Sequence, residues 1–485
     1  MTPGASHKPR ILASRLAANF AVLTGGELLS KVLTAVAFAY LARVLGPADY
    51  GQLEFALALV VFFTLIVDSG LSAFGAREVA KNESSVARLV AHVVVVRCVV
   101  AVGAIGLLAA LSLLIDKPWM LKQLLLLYCL YLLAVPGLVP WAFQGRDQMH
   151  VVASATALRW TLFAVGVFVC VSDPGRLWTV PIIEFGAAMA AVALYAGLLL
   201  TSANPFRERI DPGFALAIFR QALPIGAAEL VWAGKIYFAT VWLGLLVDGS
   251  DVGLFGAAHR LVIALHTFVW LYFFNLLPSL SRSSEKPLLD FQNLIATSIQ
   301  ITAWAGILIG VAGLGLADPL IALVYGAGYP EAAGVFQILI WFIPLALLSG
   351  NFRYALIAYG QQRLELAAAA WGAGVNLALC SVLILQFGLR GAAMAMVLSE
   401  ALILMLAVSF VRRTIAPVRL WTNSWKPFVV GIGLAMALVV NPTGSSWLAG
   451  CLALGAGCIA AISLQPNLLG EIQSVLNPNR SRANL

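Results

Sequence analysis

"GGELLSKVLTAVAFAYLARVLGPADYG", residues 25–51, is an apolar run that carries Glu27 and Lys31 one helical turn apart and halts at Gly46-Pro47. A helix needs roughly 20 predominantly apolar residues to cross a bilayer, and this run has that length. Charges near the bilayer centre cost about 2.5–3.5 kcal/mol each on insertion scales. They persist where a partner, water or cargo meets them, so the stretch reads as a spanning helix with a purpose beyond anchoring.

The rest of the chain agrees on the class. Of its 485 residues, 61% are hydrophobic and only 11% charged, with a mean hydropathy of +0.93. Such a chain has too little polar surface for water, and an all-α integral membrane protein is expected. Apolar windows of spanning length recur about fourteen times. They fall at 16–45, 52–74, 87–115, 119–143, 151–171, 178–201, 222–247, 253–280, 293–317, 332–360, 364–387, 391–411, 427–441 and 446–465. The first is too long for a signal-peptide core and is read as an uncleaved anchor.

The six cysteines, Cys98, Cys129, Cys170, Cys380, Cys451 and Cys458, all lie in apolar runs without metal-type spacing, so no disulfide framework or metal site is expected. The net charge of +8 comes from basic residues spread over many short loops, which argues against a nucleic-acid partner. One set of loops holds Lys8, Arg10, Arg15, Arg77, Lys81, Arg88, Arg146, Arg207, Arg209, Arg220, Arg282, Lys286, Arg363, Arg412, Arg413, Arg419, Lys426, Arg480 and Arg482. The opposite set holds Arg43, Lys117, Lys122, Arg176 and Arg390. By the positive-inside rule both termini face the cytoplasm, with the basic loops against membrane lipids.

An internal repeat organises the spans. Laying residues 27–67 over 229–269 superimposes Glu27 on Glu229, Leu41 on Leu243, Asp49 on Asp251 and Gly51 on Gly253 without a gap. "FQGRDQ" (143–148) then matches "AYGQQR" (358–363), and Glu184 matches Glu400. The repeat implies two six-helix lobes, 1–201 and 222–411, related by an axis along the membrane normal with a cavity at their centre. An amphipathic cytoplasmic linker is expected at 202–221, and an appended helix pair with a tail at 412–485.

"YLARVLGPADYGQLEFALALVVFFTLIVDSGLSAFGAREVAK" (40–81), "LVYGAGYPEAAGVFQIL" (323–339) and "GLRGAAMAMVLSEAL" (388–402) resemble the polysaccharide-export, or O-antigen-unit (Wzx-type), flippases of the multidrug/oligosaccharidyl-lipid/polysaccharide exporter superfamily. The resemblance extends to about residue 411 and implies alternating access. It also implies a glycan on a polyprenyl diphosphate as cargo, moved across a bacterial cytoplasmic membrane for surface polysaccharide biosynthesis. Glycan polymerase and other assembly proteins are the partners it suggests.

Such a cargo would drag phosphates and hydroxyls through hydrocarbon, which calls for cationic side chains at depth. Lys31, Lys235, Arg260 and Arg353 are the candidates for a diphosphate track, Arg as a fork and Lys as a point charge. The competing account pairs Lys31 with Glu27 and the arginines with acids or an interface. Glu27, Glu229, Glu184 and Glu400 are candidates for proton or sodium coupling; for Glu184 and Glu400 a helix-to-helix contact is the favoured account. No other cofactor is implied. Arg97 and Arg159 are expected to snorkel, and His259 and His266 to be packed polar residues. Asp49 is expected to cap the second helix, and Pro136, Pro140 and Pro344 to kink theirs.

The alternatives within the superfamily are a lipid II flippase and a cation-coupled multidrug exporter. A membrane glycan polymerase or glycosyltransferase would be the alternative from another class. With no long outer loop and no catalytic constellation, an enzyme is not expected.

Overall fold

Backbone groups in hydrocarbon have no water to bond, so a chain this apolar satisfies them within helices. The computed structural model of the protein describes residues 8–466 and 470 except 203, 206–207, 248, 286, 419 and 441–445, with side chains from residue 30 onward except 421–423 and 439. The described residues form helices joined by short 3₁₀ turns and loops, with no strand among them. Eleven of these helices are long and apolar enough to cross a membrane. Two of the eleven carry a non-helical glycine that divides them, and one further apolar helix is shorter, which accounts for the fourteen windows expected.

The chain forms two compact units, Met1–Ala233 and Gly234–Leu485. The first holds α1 (Lys8–Asp68), α2 (Leu71–Lys81), α3 (Val86–Leu114), α4 (Trp119–Ala134), α5 (Pro140–Gln144), α6 (Met149–Cys170), α7 (Thr179–Ser202) and the opening of α8 (Pro212–Leu246). The turn expected at 46–51 is a single residue, Gly46, at φ 73°, ψ 171°. Pro47 restarts the helix where a missing N–H costs nothing. Asp49 therefore sits within the first turn instead of capping it, and its carboxylate accepts the Gln52 side-chain amide at 3.1 Å.

The second span ends at Asp68, earlier than expected, because Ser69 and Gly70 both take positive φ and turn the chain into α2. That helix buries Leu71, Phe74 and Val79 and exposes Arg77 and Lys81. Lys81 and, less strongly, Arg77 hold the Glu78 carboxyl below the usual carboxylate range. Pro136 lies in a 3₁₀ turn and Pro140 opens α5, so they break the fourth span where a kink was expected.

The stretch expected as a linker, 202–221, divides in two. The described residues between Ser202 and Pro212 connect, and from Pro212 the chain is already α8. Ile218 and Ala222 are buried in a cluster with Leu71, Phe74, Trp141, Tyr195 and Leu199. The amphipathic pattern thus packs the start of α8 against the first unit.

The second unit contains the remainder of α8, α9 (Gly249–Ser283), α10 (Leu288–Tyr325), α11 (Pro330–Leu339), α12 (Phe342–Ala358), α13 (Gln362–Thr414), α14 (Leu420–Val440) and α15 (Trp447–Leu464). Gly388, at φ 56°, divides α13. Pro344 falls in the first turn of α12, where it kinks nothing. The terminal pair α14–α15 packs on α10. One end is held by the Ser446 N–H donating to the Gly315 carbonyl at 3.0 Å. Farther along, the Trp304 indole N–H donates to Gln465 at 3.0 Å, and Gln465 donates on to Gln300 at 2.7 Å.

Candidate functional site

In the first unit the deepest charge is Arg97, on α3 and 1% exposed. Its guanidinium pairs with Asp68 and donates to the Ser72 hydroxyl at 2.7 Å and to the Leu138 carbonyl at 3.1 Å. Each partner sits where a helix stops: Asp68 and Ser72 flank the α1–α2 turn, and Leu138 lies in the break between α4 and α5. Asp68 also accepts the Ser72 hydroxyl at 2.8 Å. Arg97 therefore does not snorkel. A buried guanidinium needs acceptors, and two broken helices supply them to both of its terminal nitrogens. Glu229, half-buried on α8, lies within electrostatic reach of Arg97 and Asp68. Beside it α8 meets the α1–α2 turn backbone to backbone, such that a Cβ on Gly70 would stand 2.4 Å from the Gly226 nitrogen.

Arg159 of α6 does not snorkel either. It donates to the Tyr131 hydroxyl at 3.0 Å and to Glu184 at 3.4 Å, and lies over the rings of Tyr131 and Trp160 at 5.3 and 5.0 Å. Glu184, a coupling candidate from the sequence, is thus a partner of Arg159.

In the second unit Lys235 and Glu400, assigned separately from the sequence, are one ion pair. Lys235 Nζ lies 2.5 Å from Glu400 Oε2, with the side chains 3% and 0% exposed. Ser349 donates its hydroxyl to Glu400 at 2.6 Å, and the Lys235 ammonium lies 5.3 Å above the Phe342 ring. Asn376 Nδ2 donates to the Lys235 carbonyl at 3.2 Å, tying α13 to α8. Arg353 on α12 pairs with Glu365 at the start of α13, its Nε donating at 3.0 Å. His266 packs against Phe342 with ring centroids 5.5 Å apart, within electrostatic reach of Lys235, Glu400 and Arg353.

Lys31 is exposed, among the equally exposed Val32 and Val36. Arg260 is partly exposed, next to His259, which is buried and stacked on Phe255. The side chain of Glu27 lies outside the described residues. The four cationic candidates therefore divide into a buried pair member (Lys235), two half-buried residues (Arg353, paired with Glu365, and Arg260) and one exposed residue (Lys31).

The sequence reading missed the carboxylates Asp68 and Glu365 as partners. It also missed a buried polar chain joining α9, α10 and α12: Tyr272 to Ser298 at 2.9 Å, Ser298 to Asn351 at 2.5 Å, Asn351 to Thr302 at 2.8 Å. The signal for the last was present, since Asn351 and Ser298 interrupt long apolar runs.

Residues 16–284 match the family described as polysaccharide biosynthesis protein. The chain is 23% identical over 407 residues to an Escherichia coli (strain K12) protein named "Putative O-antigen transporter", covering 81% of this chain and 95% of that one. Its fold is similar to that of the lipid II flippase MurJ in an inward closed conformation, with TM-score 0.71, 12% identity and 91% and 97% of the two chains covered. It is also similar to an inward-facing multidrug resistance MATE family transporter of the MOP superfamily, with TM-score 0.68, 14% identity and 80% and 94% covered. With its many apolar helices and a family match over more than half its length, this multi-pass membrane protein belongs to the polysaccharide biosynthesis protein family.

Proposed function

We propose that the protein is a flippase that moves a polyprenyl-diphosphate-linked oligosaccharide across the bacterial cytoplasmic membrane by alternating access, supplying cell-surface polysaccharide biosynthesis. The observation that carries this is the family match together with similarity to an O-antigen transporter along 95% of that protein's length. The placement of loop lysines and arginines supports cytoplasmic termini. A glycan polymerase is the partner we propose for the delivered product.

The chemistry suits an anionic head group. Lys31 meets the diphosphate first because it is the exposed one of the four, and Arg260 is a further half-buried member of the track. Lys235 and Arg353 are held by Glu400 and Glu365, so a diphosphate binds them by exchanging with a carboxylate. Exchange keeps the cation paired at every step, and the displaced carboxylate takes up a proton or meets water as the cargo enters. Glu229, beside Arg97 and Asp68, is the coupling acid we favour. Glu184 and Glu400 act first as counter-charges, and Glu27 remains a further coupling candidate.

The test is reconstitution into liposomes with fluorescent polyprenyl-diphosphate glycans, scoring arrival in the opposite leaflet with and without a proton or sodium gradient. Lipid II and a cationic drug serve as competing cargoes. Transfer of the glycan alone is expected; transfer of lipid II or the drug in its place would overturn the proposal.

A further inference from the structure

A second junction lies apart from these pairs, where α3 meets the start of α8. His92 is fully buried, and both its ring nitrogens are committed. Nδ1 lies 2.6 Å from the Arg88 carbonyl oxygen, and Nε2 lies 2.9 Å from the backbone nitrogen of Asp211. A carbonyl only accepts and a peptide N–H only donates, so the partners dictate the ring's state: Nδ1 carries the proton and Nε2 offers its lone pair. The ring also meets Phe214 edge-on at 4.9 Å.

Asp211 is the residue from which α8 starts. Its carboxylate accepts the Gly213 N–H at 2.9 Å and its carbonyl accepts the Ala215 N–H at 3.0 Å. Arg88 completes the junction, its guanidinium 4.2 Å over the Phe214 ring and 3.9 Å from the Asp211 carboxylate. Among the described residues these are the charged groups with a contact at the junction, one from the helix of His92 and one from the connection to α8. A buried apolar cluster with members from α2, α3, α5, α6, α7 and α8 includes Leu89 and Val93 of α3, either side of His92, and Ile218 of α8, with Phe214 packed against it.

We propose that His92 is a positioning residue whose proton state decides whether the start of α8 stays clasped to α3. A second proton on the ring would place Nε2–H against the Asp211 N–H, two donors facing each other with no acceptor between them. While the clasp is closed the ring is fully buried, so that second N–H finds no acceptor there. The exposed Asp211 carboxylate attracts the imidazolium only once the backbone contact has opened. Acidification therefore releases the entry of α8, the helix that carries both Glu229 and Lys235 farther along.

The experiment is hydrogen–deuterium exchange of the 208–220 segment in the full-length protein in nanodiscs, at pH 8 and pH 5.5. Wild type is compared at each pH with His92→Gln, whose amide oxygen accepts from Asp211 without titrating. The two are expected to match at pH 8. At pH 5.5 wild type should exchange roughly three- to tenfold faster than His92→Gln, the loss of one buried hydrogen bond. His92→Phe should exchange fast at both values. A wild-type to His92→Gln ratio that does not change with pH would overturn the proposal, as would wild-type protection in His92→Phe. Should His92→Phe not fold, the His92→Gln comparison decides alone. The readout involves no cargo, so it stands or falls independently of the flippase assignment.

Discussion

Lys235→Met separates the structural role of the buried pair from its proposed role in transport. The substitution keeps the stem volume but leaves Glu400, 0% exposed, with Ser349 as the remaining donor described. Removing one member of a buried pair costs about 3–5 kcal/mol because the other charge is stranded. Arg353 lies within electrostatic reach of Glu400 and moves the expectation to the lower end. For a body of this size that lowers the thermal midpoint by roughly 10 °C. Lys235→Met/Glu400→Leu removes both charges and should recover most of the loss, since an apolar replacement of a whole pair is often neutral or stabilising by about 1–4 kcal/mol. The assay is thermal unfolding in detergent by tryptophan fluorescence, followed by reconstituted transfer of the glycan lipid. The stable double variant should fail to flip. A single variant within about 1 kcal/mol of wild type would refute the stranded-charge argument. A double variant that flips normally would refute the role of Lys235 in carrying phosphate.

Arg97→Met should cost about 3–5 kcal/mol by stranding Asp68 and leaving the Leu138 carbonyl without its donor, read as a lower unfolding midpoint; an unchanged midpoint would mean that water already serves those groups. Gly70→Ala should destabilise by about 1–3 kcal/mol or more, because φ +77° is strained for alanine and the new methyl meets the Gly226 backbone. Melting at the wild-type temperature would contradict the close approach of α8. Lys31→Ala, at an exposed position, should leave stability within about 0.5 kcal/mol of wild type yet slow glycan-lipid transfer; normal transfer would remove Lys31 from the track.

The spans were legible because hydropathy is a one-dimensional property and a bilayer reads it in one dimension. Gly46 and Gly388 also announced themselves as breaks between apolar runs. Side-chain partners were less accessible. Arg97 looked like a snorkelling residue because its depth can be counted along the chain, whereas its acceptors come from the α1–α2 turn and from the break after α4, remote in sequence. Lys235 and Glu400 each stood out as charges in apolar helices. Nothing in their spacing, 235 against 400, says that they point at one another. The 202–221 stretch shows the same limit: its amphipathic pattern was visible, but a buried stripe does not say whether lipid or protein covers it, and here Ile218 and Ala222 face protein.

The way α8 is shared has a consequence for how the chain is made. Its opening turns complete the buried cluster of the first unit, although they are translated after the loop that separates the halves in sequence. A ribosome that has delivered only the first 202 residues has therefore produced a body whose buried cluster still lacks Ile218 and Ala222. Insertion of the seventh spanning helix is then the step that closes it. A split gene intended to yield two co-expressed halves should keep α8 whole with the first half and be cut between Leu246 and Gly249, not in the hydrophilic loop where the eye would place the scissors.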